Sequence, residues 1–174
     1  MKKILCTLAL FVALCCPCTL YAGQFEDDLY LTPERLFHIA RSLNRNLVCY
    51  DVNLVEGKLD THAPLNVYWL NREDRKGATN GLNFIQRKLA YGYKVVAEGG
   101  DNSTVTLTAY PARRLEICRM DGRYVCRTTI GGRPAILQFL YVKANEHNSL
   151  DVEYVELHGR TLDTQEEVVE RINN

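Results

Sequence analysis

The chain has 174 residues, with 21 lysines and arginines against 21 aspartates and glutamates and a formal net charge of 0 at pH 7. Without a basic excess the chain has no electrostatic basis for gripping nucleic acid, which excludes that class of partner. The length suits one domain with a substantial core and does not comfortably fit two.

The first 22 residues are typical of a secretory signal peptide. Two lysines near the start are followed by an apolar run, and the small residue Ala22 precedes the expected cleavage bond. The apolar run is interrupted by Pro17 and is short for a membrane-spanning helix. We therefore expect residues 1–22 to be removed and residues 23–174 to be exported, to the periplasm or outside the cell, with no transmembrane segment left.

The cysteines divide between the leader and the domain. Four of the seven lie in the expected leader, and Cys49, Cys118 and Cys126 remain. No leader cysteine follows a small residue, so a lipid-anchored form is the less favoured alternative. The three remaining cysteines allow at most one internal disulfide and form no paired metal-ligand spacing, so we expect neither a metal nor another cofactor.

Early in the domain, residues 36–41 fit both helical and strand spacing. Thr32 and Pro33 are typical of a helix start. The turn-rich cluster at 42–46 nevertheless favours one short turn followed by a strand, which pairs back with residues 47–50 as a hairpin. The next apolar and aromatic run, Leu65–Leu70, is predicted to be a strand.

One short helix is predicted from about Leu82 to Ala90, because Leu82, Ile85 and Leu89 share a helical face and Gly92 can end it. Strands are expected at 93–97 and 104–109, and then on both sides of two tight turns, Asp121-Gly122 and Gly131-Gly132. Two further strands at 150–159 and 168–172 complete the pattern. The predicted fold is mainly β, a single antiparallel β-sandwich or barrel-like domain with one short helix.

The first tight turn also predicts where two cysteines point. If Asp121 and Gly122 are its two central residues, Cys118 lies opposite Val125 and Cys126 lies opposite Ile117, which places the two cysteines on opposite faces. A disulfide between Cys118 and Cys126 would need a different turn, and it remains the alternative to two buried free thiols.

Two sets of residues suggest an enzyme. Cys49 is a candidate nucleophile with His38 as its base, if the strands that carry them pair. Glu73 is a candidate acid in a charged cluster beside Arg72. The residues around Cys49 are those of an ordinary strand, and a solvated loop is the simpler interpretation of the charged cluster. The chain is therefore expected not to be an enzyme, and no catalytic residue is assigned.

Polar residues interleaved with aromatics suggest a binding surface instead. Aromatic faces with amide and guanidinium partners suit sugars, peptides or amphiphiles, although they also suit plain sheet packing. The candidate ligand-binding residues are Asn44, Asn46, Tyr50, Asn53, Tyr68, Trp69, Arg72, Arg87 and Tyr91.

Three stretches of the sequence carry a resemblance: residues 36–53, with LFHI and NRNLVCYDVN, residues 64–69, PLNVYW, and residues 89–93, LAYGY. On these the chain resembles an uncharacterised family of exported bacterial proteins, a domain of unknown function. The resemblance extends from about Leu36 to Ile172 and implies one domain. It implies no activity, substrate, cofactor or site residue.

The expected function is a non-enzymatic binding or interaction module of the cell envelope. Its partner would be a small or amphiphilic ligand, a glycan or another envelope protein. The alternative is a small envelope hydrolase or transferase that uses Cys49 or Glu73 with His38.

Overall fold

The computed structural model describes residues 32–73 and 76–173, with the backbone alone at 149 and 150. The expected leader, residues 1–22, and the segment that follows it up to residue 31 lie outside these residues. The described chain is mainly β. Its strands, in chain order, are β1 (Arg35–Arg41), β2 (Asn44–Val52), β3 (Leu54–Val55), β4 (Lys58–Leu59), β5 (Leu65–Leu70), β6 (Thr79–Gly81), β7 (Tyr93–Gly99), β8 (Asn102–Leu107), β9 (Tyr110–Met120), β10 (Arg123–Ile130), β11 (Arg133–Asn145), β12 (Asn148–Thr161) and β13 (Glu167–Asn173).

Eleven of these strands form one large curled sheet, and β3 and β4 form a separate small hairpin. The main path runs β6-β5-β2-β1-β11-β10-β9-β8-β7, and β12 and β13 extend from β11. The predicted mainly β, barrel-like fold is therefore confirmed. The sheet differs from the predicted antiparallel arrangement at one place: β1 runs parallel to β11, whereas the other pairings are antiparallel, so the sheet is mixed.

Strand β11 is the junction of the sheet. Its first part, from Arg133 to Ile136, pairs with β10, and its second part, from Phe139 to Val142, pairs with β1. Since β12 pairs along both parts, β10 and β1 must share the other edge of β11. An irregularity between Leu137 and Phe139 separates the two parts, as expected where a bulge redirects a strand.

The curl gives the sheet an inner face that holds the main core and an outer face. Alternate residues of the strands point inward, where Phe37 stacks on Tyr50 with ring centroids 4.4 Å apart. Leucines from both halves of the sheet, such as Leu65 and Leu115, join the same cluster. A smaller cluster on the outer face gathers around Cys49.

The predicted helix is present but differs in form. A single α-helical turn, α1 (Phe84–Gln86), continues directly into a π-helical turn, Arg87–Tyr91. This helical segment connects β6 to β7, which are the two end strands of the main path. The hydroxyl of Tyr93, just after it, donates to the carbonyl of Leu65 at 3.0 Å and links the two ends of the curl.

The two predicted tight turns are confirmed by the backbone. Asp121 and Gly122 have φ of 49° and 82°, and Gly131 and Gly132 have φ of 58° and 80°. Positive φ at both central residues is the signature of a type I′ hairpin turn. The ambiguous start of the domain is a turn followed by β1, as favoured from the sequence.

Among the described residues, no helix is both long and apolar enough to cross a lipid bilayer.

Replacement of Gly159 by alanine should destabilise the junction. A Cβ there would stand 2.4 Å from the carbonyl oxygen of Ile136 and 2.7 Å from Cδ1 of Ile130, so the backbone must shift. We expect Gly159→Ala to lower the free energy of unfolding by about 2 kcal/mol, since overpacking costs that order. Chemical denaturation measures it. Gly99→Ala, with nothing within 4 Å, is the control, and equal stabilities of the two variants would contradict the prediction.

Candidate functional site

An open groove, here called the outer groove, runs over the outer face of β8 to β11. Strand pairing places Thr104 opposite Glu116 and Glu116 opposite Arg127, so these side chains form one row across the strands. The groove has a volume of about 670 Å³. It is lined by Thr104, Tyr110, Ala112, Arg113, Arg114, Glu116, Arg127, Thr128, Thr129, Pro134 and Leu162.

An ion pair between Arg113 and Glu170 supports one side of the outer groove. Arg113 donates to one carboxylate oxygen of Glu170 and to the carbonyl of Thr129. The second oxygen of Glu170 accepts the backbone N–H of Gly131 at 2.8 Å. Burial alone would raise the pKa of Glu170, but these hydrogen bonds outweigh it and lower the pKa. The pair therefore stays ionised and holds Arg113 in place.

Arg114 and Arg127 bring further positive charge to the outer groove. Nε of Arg127 lies 3.7 Å from a carboxylate oxygen of Glu116, a surface pair of little net energy. Arg114 is exposed and lies two residues from Glu116 on the same face of β9. Because Arg113 is paired with Glu170 and Arg127 with Glu116, the excess of one positive charge comes from Arg114. Guanidinium groups beside threonine and tyrosine hydroxyls suit a ligand that carries both negative charge and hydroxyl groups.

A closed polar cluster lies elsewhere, on the outer face of β1, β2 and β5. Arg35 donates to Asp51 and, at 3.0 Å, to the hydroxyl of Tyr68, which itself donates to Asp51 at 2.5 Å. The side chains of Arg35 and Asp51 are only 6% and 12% exposed. Burial, assisted by the hydrogen bond to Asp51, raises the pKa of Tyr68 to about 12. The three groups satisfy one another, which is typical of a structural cluster.

Cys49 and His38 lie beside this cluster, directly opposite each other on β2 and β1. The pairing that the nucleophile hypothesis required is therefore present. Burial, however, raises the pKa of Cys49 to about 12, and the nearby charge of Arg35 opposes this only in part. Burial, together with the charges of Arg35 and Arg72, lowers the pKa of His38 to about 4. A neutral imidazole of such low basicity is a poor base for so weakly acidic a thiol.

A stack of rings extends the row from His38 across the junction. The ring of His38 stacks on Phe139 at 5.5 Å, and Phe139 stacks on His158 at 4.2 Å. Nε2 of His158 lies 3.2 Å from a carboxylate oxygen of Glu156. His38 is therefore packed between Cys49 and an aromatic ring, an environment that favours its neutral form.

Glu73, the other candidate of the enzyme hypothesis, lies on the loop after β5. Its side chain is exposed and pairs with Arg45 at 3.4 Å. This is the solvated charged loop that the simpler interpretation describes. Among the described residues, no group of three or more histidines, cysteines and acids could hold a metal ion.

The aromatic ligand-binding candidates are divided between the two faces of the sheet. Tyr50 is buried in the main core and donates to the carbonyl of Tyr91 at 2.8 Å. Trp69 packs edge-on against Tyr91 and donates to Gln86 at 3.3 Å. Tyr68 points to the opposite face, because neighbouring side chains alternate along a strand. These residues do not converge on one surface.

The amide and arginine candidates make hydrogen bonds within loops and turns. Asn44 accepts from the backbone of Asn46, Asn46 accepts from the backbone of Arg72, Asn53 donates to the carbonyl of Ala63, and Arg87 donates to the carbonyl of Leu82. None of the nine candidates lines the outer groove. One feature of the sequence could have indicated the groove: the predicted turn at Asp121-Gly122 already places Glu116 opposite Arg127 across the hairpin.

The predicted register of the two later cysteines is confirmed. Val125 lies opposite Cys118 and Ile117 lies opposite Cys126, so the two thiols point to opposite faces. The alternative, a disulfide between them, is not formed, and Cys49, Cys118 and Cys126 are all free and buried.

Comparison with known proteins gives a family but no activity. The model of a domain of unknown function, DUF4833, matches residues 37–171. No curated protein and no solved structure matches the chain. The match runs from within β1 to within β13 and confirms the resemblance to an uncharacterised domain family.

The low pKa of His38 predicts a pH-dependent stability. Because its pKa is about 4 in the folded chain and about 6.5 when unfolded, the unfolded state binds more protons between these values. The contribution of neutral His38 to the free energy of unfolding is fully present above pH 6.5 and is lost as the pH falls toward 4. Between pH 7 and 5 the wild type should lose about 2 kcal/mol more unfolding free energy than His38→Gln. Urea titrations at both pH values measure this. His147→Gln, at an exposed site, is the control, and it should follow the wild type.

The burial of Cys49 predicts an inert thiol. We expect iodoacetamide at pH 8 to leave Cys49 unmodified in the folded protein and to modify it after denaturation, because a buried thiol of raised pKa forms little thiolate. Peptide mass spectrometry locates the label. Rapid labelling of Cys49 in the folded protein would contradict the prediction and restore the nucleophile hypothesis.

Proposed function

Because the chain belongs to the DUF4833 family of domains of unknown function, its role has to be inferred from its own surfaces. We propose that it is a non-enzymatic binding module that holds an anionic, hydroxyl-rich ligand, such as an acidic glycan, in the outer groove. The observation that carries this proposal is the groove itself, where Arg114 and Arg127 lie among threonine and tyrosine hydroxyls and the Arg113–Glu170 pair forms a border. Its volume falls in the range of small-ligand sites.

The structure of the groove favours ligand binding over catalysis. Arg113 is held by Glu170, and the row of Thr104, Glu116 and Arg127 sits on adjacent strands of a rigid sheet. A preformed site on strands loses little conformational freedom when a ligand binds. The chemistry proposed earlier for Cys49 is opposed by its burial and raised pKa.

We also propose that this binding takes place outside the cytoplasm. Support comes from the leader-like residues 1–22, with their lysines, apolar run and small residue before the expected cleavage bond. An acidic glycan is a polymer of the envelope and the extracellular space, so the location and the groove chemistry are consistent with each other.

The proposal is tested by calorimetric titration with oligogalacturonate, a carboxylated sugar polymer. Arg114→Gln removes an exposed groove charge and should weaken binding about tenfold, because a charge-assisted hydrogen bond is lost. Arg123→Gln, an exposed arginine at the far end of the same hairpin, should bind like the wild type. A neutral maltooligosaccharide of equal length should bind much more weakly. Equal weakening in both variants, or no difference between the two sugars, would contradict the proposal.

A further inference from the structure

The helical segment between β6 and β7 presents three large apolar side chains to solvent. Phe84, Ile85 and Leu89 are 74%, 66% and 69% exposed. We refer to these three residues as the apolar knob. Monomeric proteins rarely leave such side chains clustered at the surface, and clusters of this kind often mark an interaction site.

The apolar knob is held in a fixed position by the opposite side of its own segment. Asn83 and Gln86 form a reciprocal capping box at the start of α1. At the end of the segment, Tyr91 is buried and accepts a hydrogen bond from Tyr50 through its backbone carbonyl. Trp69 packs against the same tyrosine. The core therefore anchors one side of the segment and leaves the knob outside.

The stretch of sequence that carries the apolar knob is basic. Between Gly77 and Ala97 the sequence contains Arg87, Lys88 and Lys94 and no acidic residue. The chain as a whole is balanced, so this local excess is a distinct feature. The ammonium of Lys88 lies 5.5 Å from the centre of the Phe84 ring, at the border of the knob.

We propose that the apolar knob inserts into the surface of a lipid bilayer that contains anionic phospholipid. Apolar side chains flanked by lysine and arginine are the composition of interfacial helices, which bury the apolar side among acyl chains and hold the charges at the headgroups. The long stem of Lys88 can follow the apolar surface while its ammonium reaches a phosphate. The knob consists of three side chains on one short segment, whereas a standard protein interface involves roughly 20 to 30 residues on each side.

A second copy of the chain fits the same surface poorly. In a two-fold dimer the same patch meets itself, so Arg87 and Lys88 of one copy would face those of the other. Like charges brought together at an interface disfavour association. An anionic bilayer instead complements both the apolar and the charged parts of the patch.

The test is co-sedimentation of residues 23–174, the chain expected after removal of the leader, with vesicles of phosphatidylcholine, with and without phosphatidylglycerol. The wild type should bind the anionic vesicles and should bind less at high salt, which screens the attraction. The triple variant Phe84→Ser, Ile85→Ser, Leu89→Ser should lower the partition coefficient about tenfold or more, because the inserted groups are lost. Lys88→Glu should lower it about fivefold, because a headgroup contact becomes repulsive.

Matched controls use exposed residues away from the helical segment. Val55→Ser with Val169→Ser removes exposed apolar groups, and Lys58→Glu reverses an exposed charge, so both should bind like the wild type. Failure of the wild type to bind either vesicle, or equal binding by the triple variant, would overturn the proposal. A wild-type dimer in light scattering that the triple variant abolishes would overturn it in favour of self-association. Calorimetric titration of the triple variant with oligogalacturonate measures the outer groove separately, so a failure of membrane binding can be distinguished from a failure of the proposed function.

Discussion

Strand β11 pairs with three strands although it has only two edges, and the rest of the fold depends on how those edges are shared. β12 occupies one edge along nearly the whole strand, while β10 and then β1 divide the other edge. The two halves of the sheet, β6-β5-β2-β1 and β10-β9-β8-β7, therefore diverge from one strand and curl over a shared core. The close approach at Gly159 accompanies this junction, because a side chain there would meet the neighbouring backbone.

The curl separates residues of similar chemistry into different environments. On the outer face of β1, β2 and β5, Arg35 and Asp51 are enclosed and satisfy each other, so their charges are not available to a ligand. On the outer face of β9 and β10, Arg114 and Arg127 remain open to solvent beside hydroxyl groups. An arginine thus supports structure in one half of the sheet and is accessible to solvent in the other, according to its burial.

The candidate site was only partly accessible from the sequence. Tyr50, Trp69 and Tyr91 are adjacent in space, yet they serve the core and the base of the helical segment, which interleaved aromatic and polar residues do not reveal. The opposition of His38 and Cys49 followed from strand pairing, but their pKa values depend on burial by the folded chain. The predicted helical face of Leu82, Ile85 and Leu89 is divided in the structure, because Leu82 is buried in the main core while Ile85 and Leu89 are exposed to solvent.

Local patterns were sufficient for the β class, most strand positions, the two type I′ turns and the opposite orientation of Cys118 and Cys126. These features depend on neighbouring residues, whose backbone preferences and alternation act over a few positions. The parallel pairing of β1 with β11 joins residues about 100 positions apart, the Arg113–Glu170 pair beside the outer groove joins residues 57 positions apart, and the Arg35 cluster joins residues 16 to 33 positions apart. The closure entropy of these contacts and the burial that follows from them, including the exposure of the knob, depend on the whole fold, and no local pattern records them.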